Sequence, residues 1–249
     1  MSAMTTDTYA ARDTFHSATF AAHTLSSEQN LAAVIDHTLL KPEATDKDVI
    51  RLCEEAAANR FACAMVNPCW VPLAHSVLSG SGVPVGVVIG FPLGATTTAS
   101  KRAEALEMAK LGAHELDMVL NVGMLRSGLF AQVDQDIRSV AEVVHGAGGI
   151  LKVILETCLL TMEEKLRASV IATTAGADFL KTSTGFSTHG ATAEDVALLR
   201  GVAGSQCGVK ASGGIRTLAD ARAMLEAGAN RIGASAGVKI LSELRHARS

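Results

Sequence analysis

The chain is poor in aromatic residues, which make up 4% of its 249 residues. A core of this size must then be built from Ala, Val, Leu and Ile, within an apolar fraction of 48%. There is no basic excess: the formal net charge is −3, which excludes a nucleic-acid or anionic-membrane footprint read from composition. The five cysteines, Cys53, Cys63, Cys69, Cys158 and Cys207, are odd in number and include no C-x-x-C pair. A disulfide framework and a zinc site are both disfavoured, and a reducing compartment is expected. No apolar run reaches membrane-spanning length, and the longest, around 83–91, is strand-like. The first thirty residues lack the apolar core of a signal peptide and carry Asp7, Asp13 and Glu28, against a transit peptide. They are expected to form a partly ordered arm. Neither a G-x-G-x-x-G fingerprint nor a Walker A sequence is present, which disfavours nucleotide binding.

What is present is a repeating alternation. Short apolar runs fall at 34–38, 61–66, 85–89, 115–120, 151–155, 178–181, 208–211 and 231–233. Between them lie helical patterns at 46–59, 69–78, 98–111, 130–145, 162–175, 193–202 and 218–227. Thr45, Thr161 and Thr217 stand where N-caps belong, each followed within a turn by acidic residues. Strand and helix in turn predict an α/β fold, a single TIM (β/α)8 barrel over residues 31–249 with a short N-terminal extension, 1–30. One phrase recurs: Gly112-Ala113-His114-Glu115-Leu116-Asp117, Gly176-Ala177-Asp178-Phe179-Leu180-Lys181 and Gly228-Ala229-Asn230-Arg231-Ile232-Gly233. If the three copies are equivalent, Asp117, Lys181 and Gly233 share one level and one facing.

Strands of such a barrel are wrapped by helices, so a charge on one sits near the mouth, is paired, or is functional. Asp36, Glu115, Asp117, Lys152, Glu156, Lys181 and Lys210 are charges of this kind. Lys181 ends an apolar run and opens a hydroxyl- and glycine-rich loop. Desolvation there either forces pairing or lowers its pKa, making it a structural cation or a nucleophile for carbonyl compounds. Lys210, one strand later, either crowds Lys181 with like charge or serves as an anion partner. Asp117 is a general acid/base or a counter-ion of Lys152 or Lys210. Lys152 reads as an ion-pair partner that tunes its neighbours. Gly185, the Gly213-Gly214 pair and Gly233 follow late strands, where backbone N–H groups and a helix N-terminus often bind phosphate, and Ser235 adds a hydroxyl. His37, beside Asp36, reads as a hydrogen-bonded strand-end residue, Trp70 and Phe91 as packing, and His189 as a loop residue near the mouth.

Six phrases between residues 35 and 235 together resemble the 2-deoxyribose-5-phosphate aldolases. They are Ile35-Asp36-His37-Thr38-Leu39-Leu40-Lys41-Pro42, Val88-Ile89-Gly90-Phe91-Pro92-Leu93-Gly94, Glu115-Leu116-Asp117-Met118-Val119-Leu120-Asn121, Leu151-Lys152-Val153-Ile154-Leu155-Glu156-Thr157, Lys181-Thr182-Ser183-Thr184-Gly185-Phe186 and Val209-Lys210-Ala211-Ser212-Gly213-Gly214-Ile215-Arg216. The resemblance implies that Lys181 is the Schiff-base lysine, that Lys210 perturbs it, and that Asp117 relays protons with Lys210. It implies a substrate and phosphate site from Asp36, Lys152, Thr184, Gly185, Gly213, Gly214, Gly233 and Ser235. It further implies no metal and no cofactor, phosphosugar and aldehyde substrates, a homodimer and a cytoplasmic location. A transaldolase-like Schiff-base barrel and a catalytically silent phosphosugar-binding barrel are the rival readings. The chain departs from many relatives in Met65, where they have cysteine. Ala236 follows Ser235, where some have a second serine, and residues 241–249 include no tyrosine.

Overall fold

The computed structural model describes residues 15–248. Its strands are β1 Ile35–Leu39, β2 Cys63–Val66, β3 Val85–Ile89, β4 Ala113–Val119, β5 Ile150–Ile154, β6 Phe179–Lys181, β7 Gly208–Ser212 and β8 Arg231–Ala234. All pair in parallel and in chain order, and β8 closes on β1. Around them run α3 Asp46–Asn59, α4 Val71–Leu78, α5 Thr98–Lys110, α7 Phe130–Gly146, α8 Met162–Thr174, α9 Ala193–Ala203, α10 Leu218–Ala227 and α11 Gly237–His246. This is a TIM barrel, as the alternation of the sequence predicts. Capping boxes at Thr45 with Asp48, Thr161 with Glu164 and Thr217 with Asp220 start three of the helices at the expected threonines.

Four helices exceed the sequence reading. Helix α1 (Ser17–Thr24) and most of α2 (Glu28–Ala32) lie within the expected N-terminal extension; residues 1–14, with Asp7 and Asp13, lie outside the described residues. Helix α1 has no side-chain N-cap and is held from outside. It packs on α10, buries Ala21 and Leu25, and is preceded by Phe15, whose ring lies 4.0 Å from the Arg200 guanidinium carbon. Such a helix leaves a faint mark in sequence because tertiary contact supplies its stability. The others are α6 (Val122–Arg126), capped by Asn121, and α11, which buries Ile240, Leu241 and Leu244. The helix expected over 69–78 begins instead as a 3-10 turn at Pro68–Trp70.

The main apolar core is the shell between strands and helices, where residues such as Leu116, Leu151, Leu180, Val209 and Ile232 are fully buried. The lumen is different. Its one apolar cluster is small: Leu40, Cys63, Met65 and Val88, with Phe91 against them. The pairing register explains what else is inside. Asp117 lies opposite Lys152, and Lys152 opposite Phe179, two residues before Lys181. Barrel closure staggers neighbouring strands by about one residue each, so the two-residue offset across two strands brings Asp117 and Lys181 to one height. The same step carries Lys181 to Gly233 and Gly233 to Met65. One lumenal layer is therefore Met65, Asp117, Lys181 and Gly233, and the layer on the odd strands is Asp36, Gly86, Lys152 and Lys210. The repeated phrase thus marks a true layer of the barrel.

Outside the lumen, Lys101 on α5 is fully buried and donates to Asp136 on α7 (2.5 Å) and to the Val119 carbonyl (2.9 Å). It fastens the first turn of α5 to α7 and to the end of β4. Removing one partner of a buried pair strands the other charge. Lys101→Met is expected to lower unfolding free energy by about 3–5 kcal/mol, read from denaturant midpoints; a loss below about 1 kcal/mol, the range of exposed pairs, would contradict this assignment.

Candidate active site

Strand geometry points the charges of β1, β4, β5, β6, β7 and β8 into one lumen, with the three lysines almost fully enclosed. Lys181 Nζ and Lys210 Nζ each donate to the same oxygen, Asp117 Oδ2, at 2.7 Å. Lys152 Nζ donates to the other oxygen, Asp117 Oδ1, at 2.9 Å, and lies 2.6 Å from Glu115 and 3.5 Å from Asp36. Lys210 also donates to Asp36 Oδ2. Arg231 donates to Asp36 Oδ1 at 2.8 Å and faces Glu115 at 3.3 Å.

These surroundings fix the charges. Burial alone would raise the Asp117 carboxyl, but Lys152, Lys181 and Lys210 hold it well below the usual carboxylate range. Asp36 is likewise pushed up by burial and pulled down further by Lys210, Lys152 and Arg231. Lys152 is penalised by burial yet held well above the ordinary lysine value by Asp117, Asp36 and Glu115. Lys181 alone of these goes the other way, from 10.5 to about 8. Burial is the largest cause; Asp117 opposes it, and the like charges of Lys210 and Lys152 assist. Of the two causes expected from the sequence, desolvation is thus the larger and crowding by Lys210 the smaller.

Above Lys181 and Lys210 opens a cavity of about 410 Å³, lined also by Thr184, Gly185, Gly213, Gly214, Gly233 and Ser235. Six residues expected at a substrate and phosphate site thus meet on one wall. Asp36 and Lys152, expected with them, do not. Both are fully buried beneath the cavity and absent from its lining, because their charges are taken up by ion pairs within the lumen. Asp117 is also beneath, reaching the cavity through its two lysines. A larger cavity of about 640 Å³ lies at the opposite, N-terminal end of the strands. Its one charged lining residue, Arg200, spends its guanidinium on the carbonyls of Gly228, Gly204 and Cys207 and on Asn230.

The phosphate-like wall is shaped by backbone. Gly213 and Gly214 have φ of 85° and 83°, the left-handed region that favours glycine. Gly190 packs so closely that a Cβ there would lie 2.1 Å from the Gly213 oxygen. Ser212 Oγ donates to the Ser183 carbonyl at 2.6 Å, tying the two loops together. Glu156, with φ of 55°, accepts from the Thr184 N–H at 3.2 Å and from the Thr184 hydroxyl. After Ser235, α11 presents its N-terminus.

Lys41 and Arg216, exposed cations, also line the cavity, and Arg231 pairs in the lumen beneath; none of the three is singled out by strand context. Arg216 stands two residues after the glycine pair, where its charge is legible. His37 is buried against Glu55 (2.6 Å) and stacked on Phe61, a packed strand residue as expected. Phe91 packs edge-on to Phe186 at 5.2 Å. His189 is exposed and outside the cavity lining. All five cysteines are free. Among the described residues, Asp36, Cys63 and Glu115 are close enough together to suggest metal donors, within 4.8 Å of one another. Both carboxylates already hold Arg231 and Lys152, which an ion would have to displace. No helix among the described residues is long and apolar enough to cross a membrane.

A closed parallel barrel with two lysines lining a cavity at the C-terminal end of its strands has the architecture of a TIM-barrel enzyme. The chain belongs to the DeoC/LacD family of aldolases, whose family model matches residues 30–243, and it is an enzyme of the lyase class. It is 57% identical over 215 residues to the deoxyribose-phosphate aldolase of Thermoanaerobacter sp. (strain X514), covering 86% of this chain and 96% of that one. It is 55% identical over 212 residues to the deoxyribose-phosphate aldolase of Bacillus subtilis (strain 168), covering 85% and 95%. Among solved structures it resembles the deoxyribose phosphate aldolase of Aeropyrum pernix, described as tetrameric. The TM-score is 0.86 at 35% identity, over 92% of this chain and 97% of that one.

The sign of the pH dependence follows from the lowered Lys181 value. Its free amine, the nucleophilic form, is scarce below about pH 8 and accumulates above it. Removing Lys210 removes one of the effects that depress Lys181, so Lys210→Leu is expected to move the acid limb of kcat/KM upward by on the order of one pH unit. An unshifted limb in the pH–rate profile would reject the coupling.

Proposed function

We propose that the protein reversibly cleaves 2-deoxy-D-ribose 5-phosphate to D-glyceraldehyde 3-phosphate and acetaldehyde through a Schiff base on Lys181. The observation that carries this reading is the single oxygen, Asp117 Oδ2, shared by the amines of Lys181 and Lys210 beneath a cavity walled by glycine loops. The names of the relatives supply the substrate.

The free amine of Lys181 adds to the sugar's C1 aldehyde to give a carbinolamine. Loss of water gives a protonated imine. The C3 hydroxyl then loses its proton to a base, the C2–C3 bond breaks, and its electron pair moves toward the iminium nitrogen. C3 leaves as the aldehyde of glyceraldehyde 3-phosphate. The remaining enamine takes a proton at C2, and water releases acetaldehyde and restores the amine. Asp117 and Lys210 form a short hydrogen-bonded route by which protons reach or leave the lysine nitrogen. The imine is the electron sink, so the residues present account for the chemistry. Thr184, Gly185, Gly213, Gly214, Gly233 and Ser235 hold the 5-phosphate, with Lys41 and Arg216 adding positive charge at the mouth. Remote binding of that group orients the reacting carbons over Lys181.

Lys181→Leu is expected to abolish cleavage while keeping the fold, checked by turnover and circular dichroism. Borohydride with acetaldehyde should leave an ethyl adduct on Lys181 in peptide maps. A catalytically silent sugar-phosphate binder would give no adduct, and a transaldolase-like enzyme would prefer ketose phosphates. Gly190→Ala should push the Gly213 peptide out of place and raise KM for the phosphorylated substrate about tenfold, equivalent to ~1.4 kcal/mol. An unchanged KM would separate that loop from phosphate binding.

A further inference from the structure

Below Glu156, which lies beyond the end of β5 and is held by Thr184, the lumen holds seven formal charges, and they do not balance. Asp36, Glu115 and Asp117 are the anions; Lys152, Lys181, Lys210 and Arg231 are the cations. Burial raises the Cys63 thiol, so it stays neutral and adds no fourth anion. One positive charge is therefore in excess when every lysine is protonated. Enclosure makes such an excess expensive, and proton loss is the way to discharge it.

The contacts say which cation gives way. Lys152 has three carboxylate partners, at 2.6, 2.9 and 3.5 Å. Lys210 has two, Asp36 and Asp117. Arg231 has two, Asp36 and Glu115, and a guanidinium does not lose its proton in proteins. Lys181 has one, Asp117, which it shares with both other lysines. It is the least compensated amine of the four groups.

Arg231 and Glu115 stand apart from the chemistry. Neither lines the cavity. By the barrel stagger they lie one layer deeper on the even strands than Asp117 and Lys181, two residues back along β4 and β8. The Phe179 ring, 5.3 Å from the Arg231 guanidinium carbon, packs beside it. From Arg231 an alternating chain of charges runs through Asp36, Lys210 and Asp117 to Lys181.

We propose that Arg231 and Glu115 are positioning residues that set the charge of the lumen and thereby decide whether the distant Lys181 holds its proton. Arg231 supplies the excess charge that Lys181 sheds, and Glu115 limits that excess. Asp117 from β4 is hydrogen-bonded to Lys181, with Lys152 from β5 and Lys210 from β7 acting on it. The other titratable groups turned into the barrel are Asp36 from β1, Cys63 from β2, Glu115 from β4 and Arg231 from β8, with Glu156 after β5 hydrogen-bonded to Thr184; β3 contributes the uncharged Gly86 and Val88. This inference rests on the Schiff-base role of Lys181, which borohydride trapping on the parent enzyme tests separately.

The decisive experiment compares pH profiles of kcat/KM for deoxyribose 5-phosphate in the parent, Glu115→Gln, Arg231→Met, Arg231→Lys and the Glu115→Gln/Arg231→Met double variant. Glu115→Gln should move the acid limb down and Arg231→Met should move it up, each by on the order of half to one pH unit. Arg231→Lys should keep the parent limb, and the double variant should return toward it. A purely structural role would lower kcat/KM without moving the limb. Limbs that stay fixed, or that move the same way in both single variants, overturn the proposal. Should Arg231→Met fail to fold, the nearly isosteric Glu115→Gln decides alone. If the parent shows no adduct on Lys181, the Schiff-base reading fails independently of the limb shifts.

Discussion

One carboxylate oxygen, Asp117 Oδ2, holds two almost fully buried amines at 2.7 Å. Much of the rest of the molecule maintains that situation. Two ammonium ions on one oxygen repel each other, and enclosure penalises each of them. Asp117 answers with attraction to both. For Lys210 the second carboxylate, Asp36, adds to that attraction. For Lys181 it does not, and desolvation wins, lowering the amine from 10.5 to about 8, so that far more of it is free in mildly alkaline solution than for an ordinary lysine. The result is a nucleophile made by unequal sharing of counter-ions.

The barrel suits this division because it separates two kinds of interior. The shell between strands and helices is closely packed with aliphatic side chains and carries the hydrophobic stabilisation. Small aliphatic residues suffice there, which is consistent with so low an aromatic content. The lumen is then released from the task of being an oily core, apart from the patch of Leu40, Cys63, Met65 and Val88. Its remaining layers carry ion pairs that would be a poor source of stability. They are arranged as a graded chain, fully paired at depth and under-paired at the mouth, where the β6 and β7 loops meet.

Much of this was legible in the sequence, for identifiable reasons. The strand and helix alternation fixes the fold, and the Gly-Ala phrase that recurs before β4, β6 and β8 marks residues of one layer. Lys181 and Lys210 stood out because charge inside an apolar strand is rare. Depth did not stand out. The resemblance places Asp36 and Lys152 with the substrate, yet stagger sets them below the cavity, and stagger appears only when the sheet closes; the ion-pair role read for Lys152 from its strand is the one the geometry matches. Arg231 escaped attention for the related reason that it opens its strand, where a charge is ordinarily solvated. Its importance depends on Asp36 and Glu115, 195 and 116 positions away in the chain. Desolvation of Lys181 is expected from its apolar run, and burial is indeed the largest cause of its lowered value, but the weight of burial against Asp117 is set only in the assembled barrel. Helix α1, held by α10 and by the stacking of Phe15 on Arg200, has almost no signature of its own.

The central claim is that Lys181 is an unusually acidic lysine in the resting enzyme. Competitive acetylation of the native protein across a pH series, with mass spectrometry of the peptide containing residue 181, measures this without substrate. Lys181 is expected to titrate at about 8, apart from the exposed lysines. A midpoint at the ordinary lysine value, about 10.4, would contradict it.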